Sequence, residues 1–313
     1  MVRVALTQTR NAFLGMPETV DGLGALHDKL DAIREANLEH HGKLIDDAAA
    51  MGVKMLGLGE LFTAPYFAHD GCCCEFWKGL AESSLDGPAV RFMQRKAAQH
   101  GMVIVAPIYE RAEDGSFFDT AVCIDADGTR LGIYRKTHIP KGHNEQGGFD
   151  ESFYYGPSDG NGGLQPGALG SNAYFPVFET TYGKVGVAIC FDRHFEGVIS
   201  TLADAGAEVI FSPAVTFGAK SRMMWELEFQ VDATRNQVFI GGSNRLGAEQ
   251  PWNVEYFGQS HFVGPHGRLD NISEQETLVV ADLHLAELSS EDPAGWALRE
   301  NRRSIFGLAT NDS

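Results

Sequence analysis

Three short segments of this 313-residue chain carry an apolar run straight into a reactive side chain. In VKMLGLGELF the run ends at Glu60, in LGIYRKTHIP at Lys136, and in KVGVAICFDRHF at Cys190. A cysteine that only packs behaves as a small hydrophobe and needs no charged neighbours, yet Asp192, Arg193 and His194 follow Cys190 at once. Together the three residue types make one chemistry available. A free thiol, with a pKa near ~8.5, is mostly protonated at neutral pH, and only the thiolate is a nucleophile. A neighbouring carboxylate can take the proton, and an ammonium can stabilise both anions. The same ammonium, with the backbone N–H of Phe191, can face the negative charge that develops on a carbonyl oxygen under attack. After an amine has left, Glu60 can activate water against the resulting thioester. Taken singly, Glu60 reads as a helix-terminus charge, Lys136 beside Arg135 as a solvated cation and Cys190 as core. Their common context, the end of an apolar run, is what joins them.

Such ends need strands, and in α/β sheets ligands collect where strands finish and side chains leave the core. Apolar runs predict strands over residues 2–8, 53–58, 102–108, 118–125, 131–134, 185–189, 208–212, 238–242, 260–264 and 277–281. Helical periodicity fits 23–50, 88–99, 196–205 and 221–235. In the first of these helices Leu26, Leu30, Ile33, Leu38 and Leu44 fall near one face. Interleaved strands and helices predict an α/β layered protein, and the turn sequence DADGT (125–129) adds an antiparallel hairpin, so the sheet is expected to be mixed. The glycine-rich stretch 140–172 lacks periodicity, and a loop of that length in a compact domain is usually a functional one. Its aromatic run of Phe149, Phe153, Tyr154 and Tyr155 around Glu151 predicts that it is packed. The stretch after His284 is expected to wrap over a neighbour.

Hydrophobic residues at 43% and charged residues at 21% are ordinary globular values. The formal net charge of −17 argues against nucleic acid or an anionic membrane as partner, because both require basic surface. A small anionic substrate stays compatible, since a few local cations override the global field. The N-terminal MVRVALTQTR alternates like a strand, without the apolar core of a secretory signal. Five cysteines, three of them consecutive at positions 72–74, make a poor disulfide framework. A reducing, cytoplasmic compartment is the expectation.

GLGELF, YRKTHIP and VAICFDRHF, in that order and with reactive residues 76 and 54 positions apart, resemble the three signature segments of the nitrilase superfamily, the carbon–nitrogen hydrolases. AEVIFSPAVTFGA and ATRNQVFIGGSNRLG extend the resemblance, which covers about residues 1–283 and leaves 284–313 as a C-terminal extension. It implies a four-layer αββα sandwich, a homo-dimer or higher homo-oligomer, and no cofactor and no metal. It also implies roles: Glu60 as general base, Lys136 as the oxyanion-stabilising lysine, Cys190 as nucleophile and Glu151, in FDESFYY, as a second, supporting glutamate. The flanks HIPKGHNEQGGFDESFYY and ICFDRHF look most similar to the β-ureidopropionase branch. That branch implies an N-carbamoyl amino acid, such as N-carbamoyl-β-alanine, cleaved to amine, carbon dioxide and ammonia. In that reading Arg193 holds the substrate carboxylate, as suits a guanidinium fork, with His194 as a second contact. The structural alternative is that Arg193 pairs with Asp192, Glu196 or another acid and braces its loop. N-carbamoylputrescine amidase, a simple amidase or a nitrilase are the alternatives within the superfamily, and a catalytically silent interaction module is the alternative outside enzymology.

Other signals carry less. Gly57 and Gly59 lack the third glycine of a dinucleotide fingerprint. HDGCCC (69–74) offers adjacent cysteines that cannot easily share a tetrahedral zinc site. His261 and His266 read as structural, and Trp225 with Phe229 as helix core.

Overall fold

The computed structural model describes residues 1–69, 74–162, 168–292 and 294–302. Two sheets form the centre. The first has the spatial order Leu278–Leu283, Val2–Thr7, Met55–Gly57, Val103–Arg111, Phe117–Ile124, Arg130–Arg135. Its Val2–Thr7, Met55–Gly57 and Val103–Arg111 strands run parallel, and the remaining pairings are antiparallel. The second sheet repeats the plan. Gly183–Val187, Val209–Pro213 and Phe239–Ser243 are parallel at its centre. Val177–Thr180 flanks them antiparallel on one side and His261–Gly264 on the other.

Side chains alternate across each strand, so each sheet has two faces with different partners. Ala5, Leu56, Ile104, Ala106 and Val122 pack under helices α1 (Leu30–Ala50) and α2 (Pro88–His100) through Ile45, Ala48, Val90, Met93 and Ala97. Their neighbours Val4, Leu6, Met55, Val103, Val105 and Ala121 face the second sheet, meeting Val177, Val185, Val187, Val209 and Phe211. Behind the second sheet lie α3 (Val198–Asp204) and α4 (Ala219–Asn236), with Leu202, Trp225, Phe229 and Ala233 turned inward. The layers are therefore αββα, the expected sandwich. Gly57 has a packing reason rather than a nucleotide-binding one: a Cβ there would stand 2.5 Å from the Phe211 ring of the opposite sheet. A larger residue would force the sheets apart, an overpacking that typically costs roughly 1–3 kcal/mol.

All ten expected strands form, most of them shifted by one to three residues. The expected helix 23–50 divides, because Val20–Lys29 is a 3₁₀ helix and only Leu30–Ala50 is α-helical. Gly22 and Gly24 weaken the α-helix there. The 140–172 stretch contains a hairpin, Lys141–Asn144 with Gly147–Asp150, followed by a 3₁₀ turn at Glu151–Phe153. Phe149, Phe153, Tyr154 and Tyr155 all join the third apolar cluster, so this part of the loop is packed. Beyond His284 the chain returns to its own α3, where Arg299 donates to the Ala203 carbonyl at 2.6 Å and Arg302 pairs with Asp204. Of the HDGCCC run, residues 70–73 lie outside the described residues, whereas His69 is buried against the Tyr256 hydroxyl at 2.9 Å. Trp225 and Phe229 are buried core, and His261 is a buried residue bonded to the Gln259 carbonyl. Among the described residues no helix is long and apolar enough to cross a membrane.

Candidate active site

Cys190 lies just past the strand Gly183–Val187. The amide of Ala188 still reaches across to the Phe211 carbonyl, and the chain then turns into a 3₁₀ segment, Cys190–His194. Cys190 itself has φ +50°, a left-handed backbone that few non-glycine residues adopt. Asp192 secures this turn. Its buried carboxylate accepts from Thr137 Oγ1 at 2.8 Å, from the His138 amide at 2.9 Å and from the Tyr134 hydroxyl. The turn bearing the thiol is thereby tied to the segment bearing Lys136.

Lys136 follows the strand Arg130–Arg135, and its amide continues the ladder by donating to the Asp119 carbonyl at 2.9 Å. Its ammonium is completely buried and lies 2.6 Å from Glu60 Oε1 and 2.6 Å from Glu151 Oε2. Glu60 arrives from the end of Met55–Gly57, through Gly59, whose amide donates to Thr7 Oγ1 at 3.1 Å. A buried Arg245–Glu249 pair holds the stretch after Glu60. Arg245 Nη2 donates to the carbonyls of Glu60, Leu61 and Ala64 at 3.3, 3.2 and 2.9 Å. The second oxygen of each glutamate is also bonded. The Val215 amide donates to Glu60 Oε2 at 2.6 Å, and the Tyr66 hydroxyl to Glu151 Oε1 at 2.7 Å. The Val215 carbonyl in turn faces Cys190 Sγ at 3.8 Å. Glu60, Lys136, Glu151 and Cys190, spread over 131 positions, thus meet in one place.

Burial, the largest influence, would raise the Glu60 carboxyl, but the Lys136 ammonium together with the group's other polar neighbours holds it below its usual range. Glu151 goes the other way: burial lifts it, and Lys136 only partly opposes the rise. Burial alone would depress Lys136, yet the charges of Glu151 and Glu60 keep it well above an ordinary lysine. The Cys190 thiol is pushed up by burial and then by the Glu60 charge. A protonated thiol beside an ionised carboxylate and a fixed cation is the arrangement a base-activated nucleophile needs.

Glu60, Asp119 and Glu151 bring oxygens within 4.8 Å of one another, a spacing that would also suit a cation. The Lys136 ammonium already stands among them, so the donor set has its positive charge from the chain itself. A cavity of about 80 Å³ opens beside Cys190 and Glu151, with Phe191, Arg193, His194 and Phe217 in its wall. Arg193 is buried there, and both of its terminal nitrogens are engaged. Nη1 gives to the Cys190 carbonyl at 2.7 Å and Nη2 to Thr216 Oγ1 at 3.3 Å, while the guanidinium lies 5.1 Å over the Trp225 ring. Of the two sequence readings for Arg193, this geometry favours the brace: the guanidinium ties to the Cys190 carbonyl, and the acid it meets is Glu228, with Oε2 3.4 Å from Nε. His194 is partly exposed, with Nδ1 2.7 Å from Glu228 Oε1.

Sequence reasoning missed Tyr66, Asp119, Glu228 and the Arg245–Glu249 pair. Asp119 did leave a trace, as the one carboxylate in FFDTAVCI, where alternation gives a strand. The others come from distant segments and leave no local pattern.

The sequence matches the family described as carbon-nitrogen hydrolase over residues 23–290. It is 32% identical to the beta-ureidopropionase of Arabidopsis thaliana, over 97% of this chain and 71% of that protein. It is 34% identical to the N-carbamoylputrescine amidase of Solanum tuberosum, over 83% of this chain and 85% of the relative. The crystal structure of a carbon-nitrogen hydrolase from Helicobacter pylori G27 superposes with a TM-score of 0.77 at 23% identity, covering 97% of this chain and 96% of that one. With four layers in the same arrangement and a family match across most of its length, the chain belongs to the carbon–nitrogen hydrolases of the nitrilase superfamily and is an enzyme of that class.

Proposed function

We propose that this enzyme hydrolyses an N-carbamoyl amino acid of the N-carbamoyl-β-alanine type through a carbamoyl-thioester on Cys190. The observation that carries the reading is the Val215 peptide, which bonds Glu60 with its N–H and faces the Cys190 thiol with its carbonyl. Base and nucleophile are thereby set side by side, next to the buried Lys136 ammonium.

In this scheme Glu60 takes the Cys190 proton and the sulfur attacks the ureido carbonyl carbon. Negative charge builds on the oxygen and is met by Lys136, a role in which one fixed donor is typically worth about 10²–10³ in rate. When the intermediate collapses, the C–N bond breaks and Glu60 returns the proton to the departing ammonia. Glu60 then deprotonates water, which attacks the thioester and releases the thiol and a carbamic acid. The carbamic acid loses carbon dioxide to give the amine. Glu151 and the Tyr66 hydroxyl keep Lys136 in place throughout.

The cavity wall supports an anionic substrate tail. The one carboxylate among its described lining residues, Glu151, is already engaged by Lys136 and Tyr66, so none is left to oppose a substrate carboxylate. A second reading, a carbamoyl substrate with a cationic tail, is favoured by the similarity to the potato N-carbamoylputrescine amidase. Ammonia release from N-carbamoyl-β-alanine and from N-carbamoylputrescine, with Cys190→Ala as blank, decides between them. Faster release from the first, abolished in the variant, is expected. Preference for the putrescine compound would overturn the anionic reading, and equal release by the variant would remove Cys190 from the chemistry.

We further infer a homo-oligomer. Met223, Leu227 and Val231 recur every four residues on the outer face of α4, and are 54%, 54% and 42% exposed. The inner face of the same helix carries Trp225 and Phe229, so α4 is apolar on both sides, as suits a helix covered by a second copy.

A further inference from the structure

Asp119 is completely buried, and neither of its carboxyl oxygens has a hydrogen-bond partner. The strand Phe117–Ile124 places it opposite Tyr109 and beside Lys136, whose ammonium is 3.6 Å from Oδ2. The titratable groups facing it are Glu60, Glu151 and Lys136, together with Tyr155 and Tyr109. The Tyr109 hydroxyl is committed to the Tyr154 carbonyl at 2.7 Å, so it offers Asp119 no donor.

Three acids share one ammonium in a place closed to water. Two of them are fully served, since Glu60 holds Lys136 and the Val215 amide, and Glu151 holds Lys136 and the Tyr66 hydroxyl. An ionised carboxylate without a donor is the most unfavourable occupant of such a place, and crowded carboxylates resolve the conflict when one keeps its proton. Geometry identifies which one.

We propose that Asp119 is a positioning residue for the reaction, a carboxyl that stays neutral so that Lys136, with two N–H groups given to Glu60 and Glu151, keeps its third for the substrate oxygen. This rests on the reading of Lys136 as the oxyanion-stabilising group. An ionised Asp119 at 3.6 Å would draw that third N–H to itself. The electrostatics agree: burial, and next the charge of Glu60, push Asp119 well above the usual carboxylate range, whereas Lys136 and the other polar neighbours of Glu60 hold that group below it.

The test is infrared spectroscopy of the full chain with ¹³C-carboxyl aspartate, at about pH 8, beside the Asp119→Asn variant. The label excludes Glu82 and Glu151, and Asp232, pushed by burial to about 6, is ionised at that pH. An isotope-shifted carboxylic-acid carbonyl band is expected in the wild type and absent in the variant. The acid limb of the Asp119→Asn pH–rate profile should be unmoved, since the amide replaces a group that carries no charge. A wild type without that band overturns the proposal, whether or not the variant folds. So does a variant whose acid limb moves by about one pH unit or more. Because the band does not depend on turnover, an enzyme inactive on every ureido substrate would count against the proposed reaction alone.

Discussion

Arg193 donates Nη1 to the carbonyl oxygen of Cys190 at 2.7 Å, so the residue three positions after the thiol ties back onto the thiol's own backbone. The bond is buried and charge-assisted, and it stabilises a left-handed residue that would otherwise relax. Arg193→Lys keeps the charge and loses the fork. On the bracing reading kcat falls by about ten- to a hundredfold while KM for a ureido acid changes less than about threefold. Steady-state kinetics separate this from a carboxylate-binding role, in which KM would rise and kcat hold.

Cys190 and Cys123 are both buried thiols raised by their surroundings, but of the two only Cys190 stands beside the Glu60–Lys136 pair and borders a cavity. Iodoacetamide should therefore modify Cys190 well before Cys123, as peptide mass mapping would read. Glu60→Gln should slow the Cys190 reaction by at least about a hundredfold, the low end of what a positioned base supplies. Equal rates at the two cysteines would favour the silent-module alternative.

Lys136→Met leaves Glu60 and Glu151 with no cation between them. Removing one partner from a buried ionic group typically destabilises a protein by roughly 3–5 kcal/mol. The variant should unfold at clearly lower urea concentration and show no measurable turnover. A midpoint equal to wild type would mean that the two glutamates are neutral in the native protein.

Glu82 gives a pH-dependent prediction away from the site. Its Oε2 accepts from the Ala89 amide at 2.8 Å at the start of α2, and its other oxygen is buried without a partner. Burial raises this carboxyl from 4.5 to about 7. The folded chain therefore holds the proton more tightly than the unfolded one, and stability present below about pH 4.5 is lost as the pH rises toward about 7. Glu82→Gln removes that loss. Its advantage over wild type should be small near pH 4.5 and grow to as much as about 3 kcal/mol above pH 7. Urea midpoints at both pH values measure it, and an advantage that shrinks with rising pH would refute the shift.

Leu227→Glu puts a charge on the outer face of α4, where no core packing is lost. Light scattering after size exclusion should show a smaller species than wild type at equal concentration. If both elute as monomers, the apolar stripe is not an interface between copies.

The strands were legible because each is a local apolar run, and ten of them could be placed without knowing their neighbours. Glu60, Lys136 and Cys190 were legible for the same reason, standing where those runs stop. The 141–150 hairpin was not: it is glycine-rich and polar, and its pairing depends on the register Lys141 to Asp150 rather than on composition. The division of the first helix at Leu30 escaped because leucine spacing persists through a 3₁₀ turn that glycines favour. Asp119 left only the trace of a lone carboxylate in a strand, and Arg245 none, because their roles exist only once segments far apart in sequence are neighbours. Arg193 shows the converse. Its type suggested a ligand for a carboxylate, and the fold supplied a backbone carbonyl first.

On the proposed chemistry, the left-handed backbone at Cys190 narrows which nucleophiles this scaffold can carry. Branching at Cβ is strongly disfavoured at positive φ, because the second γ atom meets the flanking peptide. Threonine is thus shut out of position 190, whereas serine enters with unchanged shape but an alcohol that the same glutamate must work far harder to ionise. The backbone thus removes the branched alcohol, and acidity alone separates the thiol from serine.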